Sequence, residues 1–325
     1  MSNINHFIEG YMSGNAWEDL CVQCYHIRYQ FDHYTPIPAS HRGDAGIEGF
    51  TKDGIVHQCY CPEREYSDDE LYEHYRDKMT TDLDKLISPK HASRYAGRLK
   101  DMGVPPIKEW HFNIPEYKDS RILVHAETKR QEVLAAKADH PNEFCHIHDN
   151  FVIIIKQAVD FTPEISRIIR TNLTDMRLNA AIQHTTTPDW SKCDSQKVEN
   201  IRRKIKAVMH VNDDSDDDLN EVIGLYIDFY ICGLENMTAL RQDFPEIYED
   251  LYKLEQSYKY EVKIKTKMHI DRSMNKDLFD RILEEFQTKL EKDFSRIFTI
   301  ASIGELKQEL IASWLADCSM EFRRV

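Results

Sequence analysis

Between residues 41 and 63 the chain reads HRGDAGIEGFTKDGIVHQCYCPE, a stretch with two glycine-flanked acids, a tight-turn dipeptide and an apolar run ending in Gln58-Cys59-Tyr60. Asp53-Gly54 suits the positive backbone angles of a hairpin turn, so the run at 46–50 is expected to fold back on 55–61. Side chains alternate along a strand, which sends Gln58 and Tyr60 to one face and Cys59 and Cys61 to the other. Glu48, ten residues before Gln58, then lies across the hairpin on the Gln58 face. A carboxylate, a side-chain amide oxygen and a nearby backbone carbonyl form an oxygen cage that a hard divalent cation accepts while keeping several waters. Such a bound water can attack a phosphodiester, and a neighbouring cation is needed for the charge that develops. Asp44 either adds a second carboxylate to the cage or stabilises the glycine turn through its own backbone. Glu63 stands just past the strand, at the rim of the cage or in a solvated loop.

The elements that must position these groups are legible around them. Trp17, Leu20, Cys21 and Cys24 recur at helical spacing before the hairpin, and Leu71, Tyr75, Met79, Leu83 and Leu86 do so after it, in a segment (68–87) that starts with acids. Strands are expected at 107–115 and at 151–161, the second with the continuous branched character of a strand buried on both faces, and a helix is expected between them around 120–136. Beyond Pro163 strand-length branched runs give way to spacings of three and four. The expected architecture is an α/β domain, a mixed sheet flanked by helices, over 1–162, followed by a mainly α-helical domain over 163–325.

On the residues of the hairpin the chain resembles the Mrr-like branch of the PD-(D/E)XK nuclease superfamily. GDAGIEG stands where that branch has a glycine-rich acidic motif, and the strand ending QCY stands where it has Gln-x-Lys. The chain is also similar to nuclease effectors of multi-gene bacterial antiphage systems, the Lamassu type among them. The resemblance covers roughly 15–115 and takes in the AWEDLCVQCY helix, whose Glu18 matches an acidic position bordering the family's site. It implies a restriction-endonuclease-like fold and a Mg²⁺- or Mn²⁺-dependent DNA endonuclease, the effector of an antiphage system. The metal ligands would be Glu48, Gln58 and Glu18, with Asp44 beside them. A helical second domain would dock it to a protein partner such as an SMC-like or other ATPase or a sensor subunit, and a homo-oligomer would cut both strands.

Two departures bear on the chemistry. Glu48 replaces the family's Asp on a longer stem, and Tyr60 occupies the lysine position. A phenol, with an unperturbed pKa of roughly 10, orients a water at neutral pH but brings no positive charge. Lys78 and Lys85 lie seven and fourteen residues after Leu71 and border the same stripe. Lys78, nearer the helix start, is the candidate for a migrated lysine; the plainer reading is that both snorkel at the core edge. The alternative function is an inactive nuclease-fold module, a DNA- or protein-binding subunit of a multi-protein defence complex, with Tyr60 marking the lost chemistry.

Other constellations are weaker. Cys21-x-x-Cys24 and Cys59-x-Cys61 together offer four thiols to zinc, but both pairs fall on faces expected to be core. His140, Cys145, His146 and His148 cluster in a loop without a second set of ligands at standard spacing. NDDSDDDLNE at 212–221 lacks the glycine and terminal Glu of a calcium loop and reads as a turn capping the next helix. Residues 196–208 carry Val198, Ile201, Ile205 and Val208 on one side, with Arg202, Arg203, Lys204 and Lys206 as a candidate phosphate-tracking face, the alternative being a basic helix docked on an acidic partner or on the acidic segment nearby. A net charge of −14 speaks against non-specific coating of nucleic acid. No apolar run reaches membrane-spanning length and the first twenty residues lack a secretory layout, so a cytoplasmic protein with reduced cysteines and no membrane partner is expected.

Overall fold

Ser67 and Glu70 form a reciprocal cap, the Glu70 carboxylate accepting from the Ser67 backbone N–H at 3.0 Å and the Ser67 hydroxyl accepting from the Glu70 N–H at 3.4 Å. This starts helix α2 (Asp68–Ile87) at the acidic segment where the sequence places it. The computed structural model describes residues 13–38, 46–64, 66–87, 92–171, 173, 176–180, 190, 193–317 and 319–322. The described residues divide into two compact units, those up to Ile165 in one and those from Ser166 in the other.

In the first unit helix α1 (Gly14–Arg28) precedes a five-stranded sheet in the order β1 (Thr35–Pro36), β2 (Gly49–Phe50), β3 (Ile55–Cys59), β4 (Ile107–Asn113), β5 (Ile147–Lys156). The first three strands pair antiparallel and the last two pairings are parallel, so the sheet is mixed, as expected. Parallel neighbours need crossovers, and α2 with α3 (Ala92–Asp101) and then α4 (Arg121–Asp139) supply them. One face of the sheet packs Val56, Trp110, Phe112 and Ile114 against Tyr75, Met79, Leu83 and Leu86 of α2 and Ile122 and Val133 of α4. The other face meets α1, whose Trp17, Leu20, Cys21, Cys24 and Tyr25 are buried.

Three details differ from the sequence reading. β1 forms from a Tyr/Pro-rich approach too short to show a period, and α3 follows Pro89, which marks a stop for α2 in the sequence, as a helix the reading did not name. β5 is the last strand of the sheet, so Val152, Ile153, Ile154 and Ile155 stay partly exposed instead of being buried on both faces. It also stops at Lys156, because the Gln157 N–H donates to Asp160 Oδ2 at 2.8 Å and closes a short 3₁₀ turn.

The second unit is helical: α5 (Thr162–Arg170), which starts in the first unit, then α6 (Ser195–Met209), α7 (Asp217–Asp243), α8 (Pro245–Met268), α9 (Asn275–Phe294) and α10 (Ile300–Ala316). Helix α10 is its axis, touching α6, α7 and α9 and burying Ile303, Leu306, Leu310, Ile311, Trp314 and Leu315. The acidic stretch before α7 caps it, Asp216 accepting from Leu219 N–H at 2.8 Å. No helix among the described residues is long and apolar enough to cross a membrane.

Inside this unit Glu309 is buried against Asn236, whose amide donates to it at 2.5 Å, where Gly233 leaves room. Burial pushes the Glu309 carboxyl up to about 8, and the neighbouring Glu305 adds to the rise against the opposing Asn236 bond. A carboxyl held more tightly when folded contributes stability that is full below its ordinary value of 4.5 and is lost as pH rises toward 8. Thermal unfolding from pH 5 to 9 should therefore show stability falling with pH, by on the order of 3 kcal/mol from this group. Glu309→Gln should flatten that part of the profile, and an unchanged slope would show that Glu309 is ionised in the fold.

Candidate functional site

The glycines of the acidic motif are set by close approach. Gly46 has φ +81°, and a Cβ there would stand 2.7 Å from the Asp82 carbonyl oxygen of α2. Its own carbonyl accepts from Trp110 Nε1 at 3.3 Å, which ties the loop to β4. At Gly49 a Cβ would run into the Tyr34 ring and stand 2.7 Å from His57 Nε2. Between these two points Glu48 is delivered to the end of β3.

The hairpin has the expected register. Gly49 pairs with His57 across it, so Glu48 falls opposite Gln58. Glu48 Oε1 accepts from the Gln58 amide at 2.6 Å, and Oε2 accepts from the Cys59 backbone N–H at 2.9 Å. The Gln58 Nε2 also lies 3.5 Å from the Cys59 carbonyl oxygen, while Gln58 Oε1 is buried with no hydrogen-bond partner among the described residues. Burial pushes the Glu48 carboxyl up to about 8; the charge of Glu18 adds to this, and Cys59 and the Lys78 ammonium oppose it. Glu18 and Lys78 are thus electrostatic neighbours of Glu48, one from α1 and one from α2.

Lys78 is held by Asp82 at 2.9 Å, and Lys85 reaches the same carboxylate at 2.7 Å. Asp82 is fully buried, four residues on from Lys78 and three on from the core residue Met79. Sequence reasoning passed over it, although an acid on the stripe of Tyr75, Met79 and Leu86 is a readable signal. Tyr60 packs edge-on against Tyr75, ring centres 5.7 Å apart, on the α2 side of the sheet. Asp44 lies outside the described residues, and Glu63 is exposed past the strand end.

The opposite face of β3 was expected to be packing, and it is a buried polar network instead. His57 stacks on Tyr25, ring centres 4.2 Å apart, and its Nε2 hydrogen-bonds the Tyr34 hydroxyl at 2.8 Å. Tyr25 also bonds His111 Nδ1 at 2.7 Å and Asn113 Oδ1 at 3.2 Å, and His111 Nε2 reaches Glu109 at 2.9 Å. Burial, reinforced by His111, lowers the His57 imidazole to about 3, so it is neutral at physiological pH. Sequence reasoning missed His57, which strand alternation alone puts beside Cys59.

The other candidates separate. Cys21 and Cys24 are buried on α1, and only Cys21 is hydrogen-bonded to Cys59. His146 is buried and its Nε2 meets the Leu86 carbonyl at 2.9 Å, whereas the His148 ring accepts from the Asn150 N–H, so the loop histidines do not converge.

The basic helix α6 requires a correction. Lys204 is fully buried, its ammonium serving the carbonyls of Asp317 and Trp314. Arg203 forks onto Glu321 at 3.1 Å, and Lys206 pairs with Asp214. Only Arg202 of the four is not engaged in a bond of this kind among those described, because the helix turns its other cations to local acids and carbonyls as it packs on α10. The four do not form a phosphate-tracking face.

Comparison of the chain with family models, with curated proteins and with solved structures returns no match in any of the three.

Proposed function

We propose that the protein is a divalent-metal-dependent DNA endonuclease whose centre is Glu48, Gln58 and Lys78. The observation that carries this reading is the unpartnered, buried Gln58 Oε1 on an amide already seated between Glu48 Oε1 and the Cys59 carbonyl. A buried amide oxygen left without a donor is costly, and a half-turn of the amide would bring that oxygen, in place of the NH2 group, beside Glu48 Oε1 and the Cys59 carbonyl, three oxygens for an oxygen-seeking cation. The residues fit Mg²⁺ or Mn²⁺: Glu48 and Gln58 would hold the ion with the Cys59 carbonyl, and Glu18 stands close enough to add charge. When bound, the ion supplies an activated water and polarises a phosphoryl oxygen.

This chain's own residues do the rest. Glu48 is fixed by the Cys59 N–H, so its carboxylate is oriented before any substrate arrives. Lys78 places a positive charge next to Glu48 that Tyr60 lacks, and Asp82 holds its ammonium in place. A role as effector in antiphage defence, with an SMC-like or other ATPase or sensor as partner, rests on the resemblance of the hairpin motif.

The test is plasmid cleavage by the full chain with Mg²⁺, Mn²⁺ or chelator. Metal-dependent nicking is expected, and Lys78→Met should slow it about 100-fold, the scale for losing one charge at the reacting centre. Metal-independent DNA or protein binding without cleavage would instead favour the inactive nuclease-fold module, for which Tyr60 at the lysine position is the specific observation.

A further inference from the structure

We infer that the α1 side of β3 is a second metal site, selective for Zn²⁺, built from Glu48 Oε2, His57 Nδ1 and Cys59 Sγ. These three donors lie within 4.8 Å of one another and all three residues are buried. Cys59 Sγ is 3.6 Å from His57 Nδ1, and Glu48 Oε2 is 4.0 Å from the same nitrogen. Donors on a tetrahedral zinc ion, at about 2.0–2.3 Å from it, stand about 3.5 Å apart, so the two pairs made by His57 Nδ1 are already within about half an ångström of ligand spacing.

The donor types decide the ion. A thiolate and an imidazole suit Zn²⁺ and are poor partners for Mg²⁺, which takes oxygen. One thiolate and one carboxylate cancel the charge of the ion, which matters where all three ligands are cut off from water. Ring orientation is already set: Tyr34 holds His57 at Nε2 and Tyr25 stacks on its face, leaving Nδ1 turned to Cys59. The Asn113 amide is bonded to both Nδ1 and Sγ, at 3.4 and 3.6 Å, and these long contacts would yield to a metal. Cys21 is hydrogen-bonded to Cys59 from helix α1 but is not part of the three-donor cluster.

The donor set shares Glu48 with the proposed Mg²⁺ centre but takes its imidazole and thiolate from the other face of β3, and its readout is metal binding, not cleavage. Chelator-treated full-length protein is titrated with Zn²⁺ against a chromophoric competitor, and separately with Co²⁺ while its spectrum is followed. One equivalent is expected to bind, with a sulfur-to-cobalt charge-transfer band in the near ultraviolet. Cys59→Ser should remove that band and weaken Zn²⁺ binding at least about 100-fold, whereas Cys145→Ser, at an exposed thiol, should change neither. His57→Gln, which keeps the thiol, should lower affinity similarly and covers the case in which Cys59→Ser does not fold. Failure of the wild-type protein to bind an equivalent, or a cobalt spectrum unchanged by Cys59→Ser, overturns the site.

Discussion

Glu48→Gln is expected to lower metal-dependent DNA cleavage by at least about 1,000-fold, equivalent to about 4 kcal/mol of transition-state stabilisation, while leaving the fold intact. Both halves of that result follow from where Glu48 sits. Its two oxygens face Gln58 and the Cys59 N–H at 2.6 and 2.9 Å, so a neutral amide of the same shape can keep one of these bonds. What glutamine cannot supply is the negative charge that draws a cation next to the Gln58 oxygen. Removing a buried carboxyl also relieves its desolvation cost, so the melting temperature should be equal to or above that of the unaltered protein. Initial rates on supercoiled plasmid, read beside a thermal melt of the same sample, separate the two effects. If the variant cleaves at the unaltered rate, Glu48 is not part of the mechanism.

Trp110→Ala should destabilise the first unit by about 4 kcal/mol, the range for emptying a large buried aromatic site. Trp110 is fully buried in β4, stacked on Phe112 with ring centres 5.6 Å apart, and lies in the cluster joining the sheet to α2 and α4. It also donates to the Gly46 carbonyl at 3.3 Å, two residues before Glu48. Trp110→Phe separates these duties, since it keeps most of the packing and loses only the hydrogen bond. Chemical denaturation should show Trp110→Phe much closer to the unaltered protein than Trp110→Ala. Cleavage should nonetheless fall in the phenylalanine variant, because the loop carrying Glu48 has lost its tie to the sheet. Equal stabilities of the two variants would mean that the cavity closes and the packing argument fails.

The local part of the site was readable because strand geometry is periodic. A period of two and an Asp53-Gly54 turn suffice to put Glu48 opposite Gln58, and the register Gly49 to His57 agrees with that count. The stripe of α2 and the helical character of the second half follow from periodicity in the same way. Two other features escaped. Thr35–Pro36 is too short to show any period and becomes a strand only because Phe50 and Gly49 offer it an edge. For Arg203, Lys204 and Lys206 the sequence offered both a phosphate-tracking face and docking on the acidic segment nearby, which supplies Asp214 to Lys206, but it could not reveal that Glu321 and the end of α10 would take up the other two.

By itself, then, the order of residues determines the hairpin, its register and which residues share a face, since each depends on neighbours within about ten positions. The tertiary structure alone decides which face carries polar chemistry. Tyr25 and Cys21 arrive from α1, Tyr34 from the connection to β1, and His111 and Asn113 from β4, so that a face written in sequence as two cysteines and a histidine becomes a buried network around Glu48, His57 and Cys59. It likewise decides that Lys78 stands by Glu48, because Asp82 and Gly46 bring α2 against the acidic loop. Those contacts join segments tens of residues apart, and their free energy lies in burial and desolvation, which only the packed chain specifies.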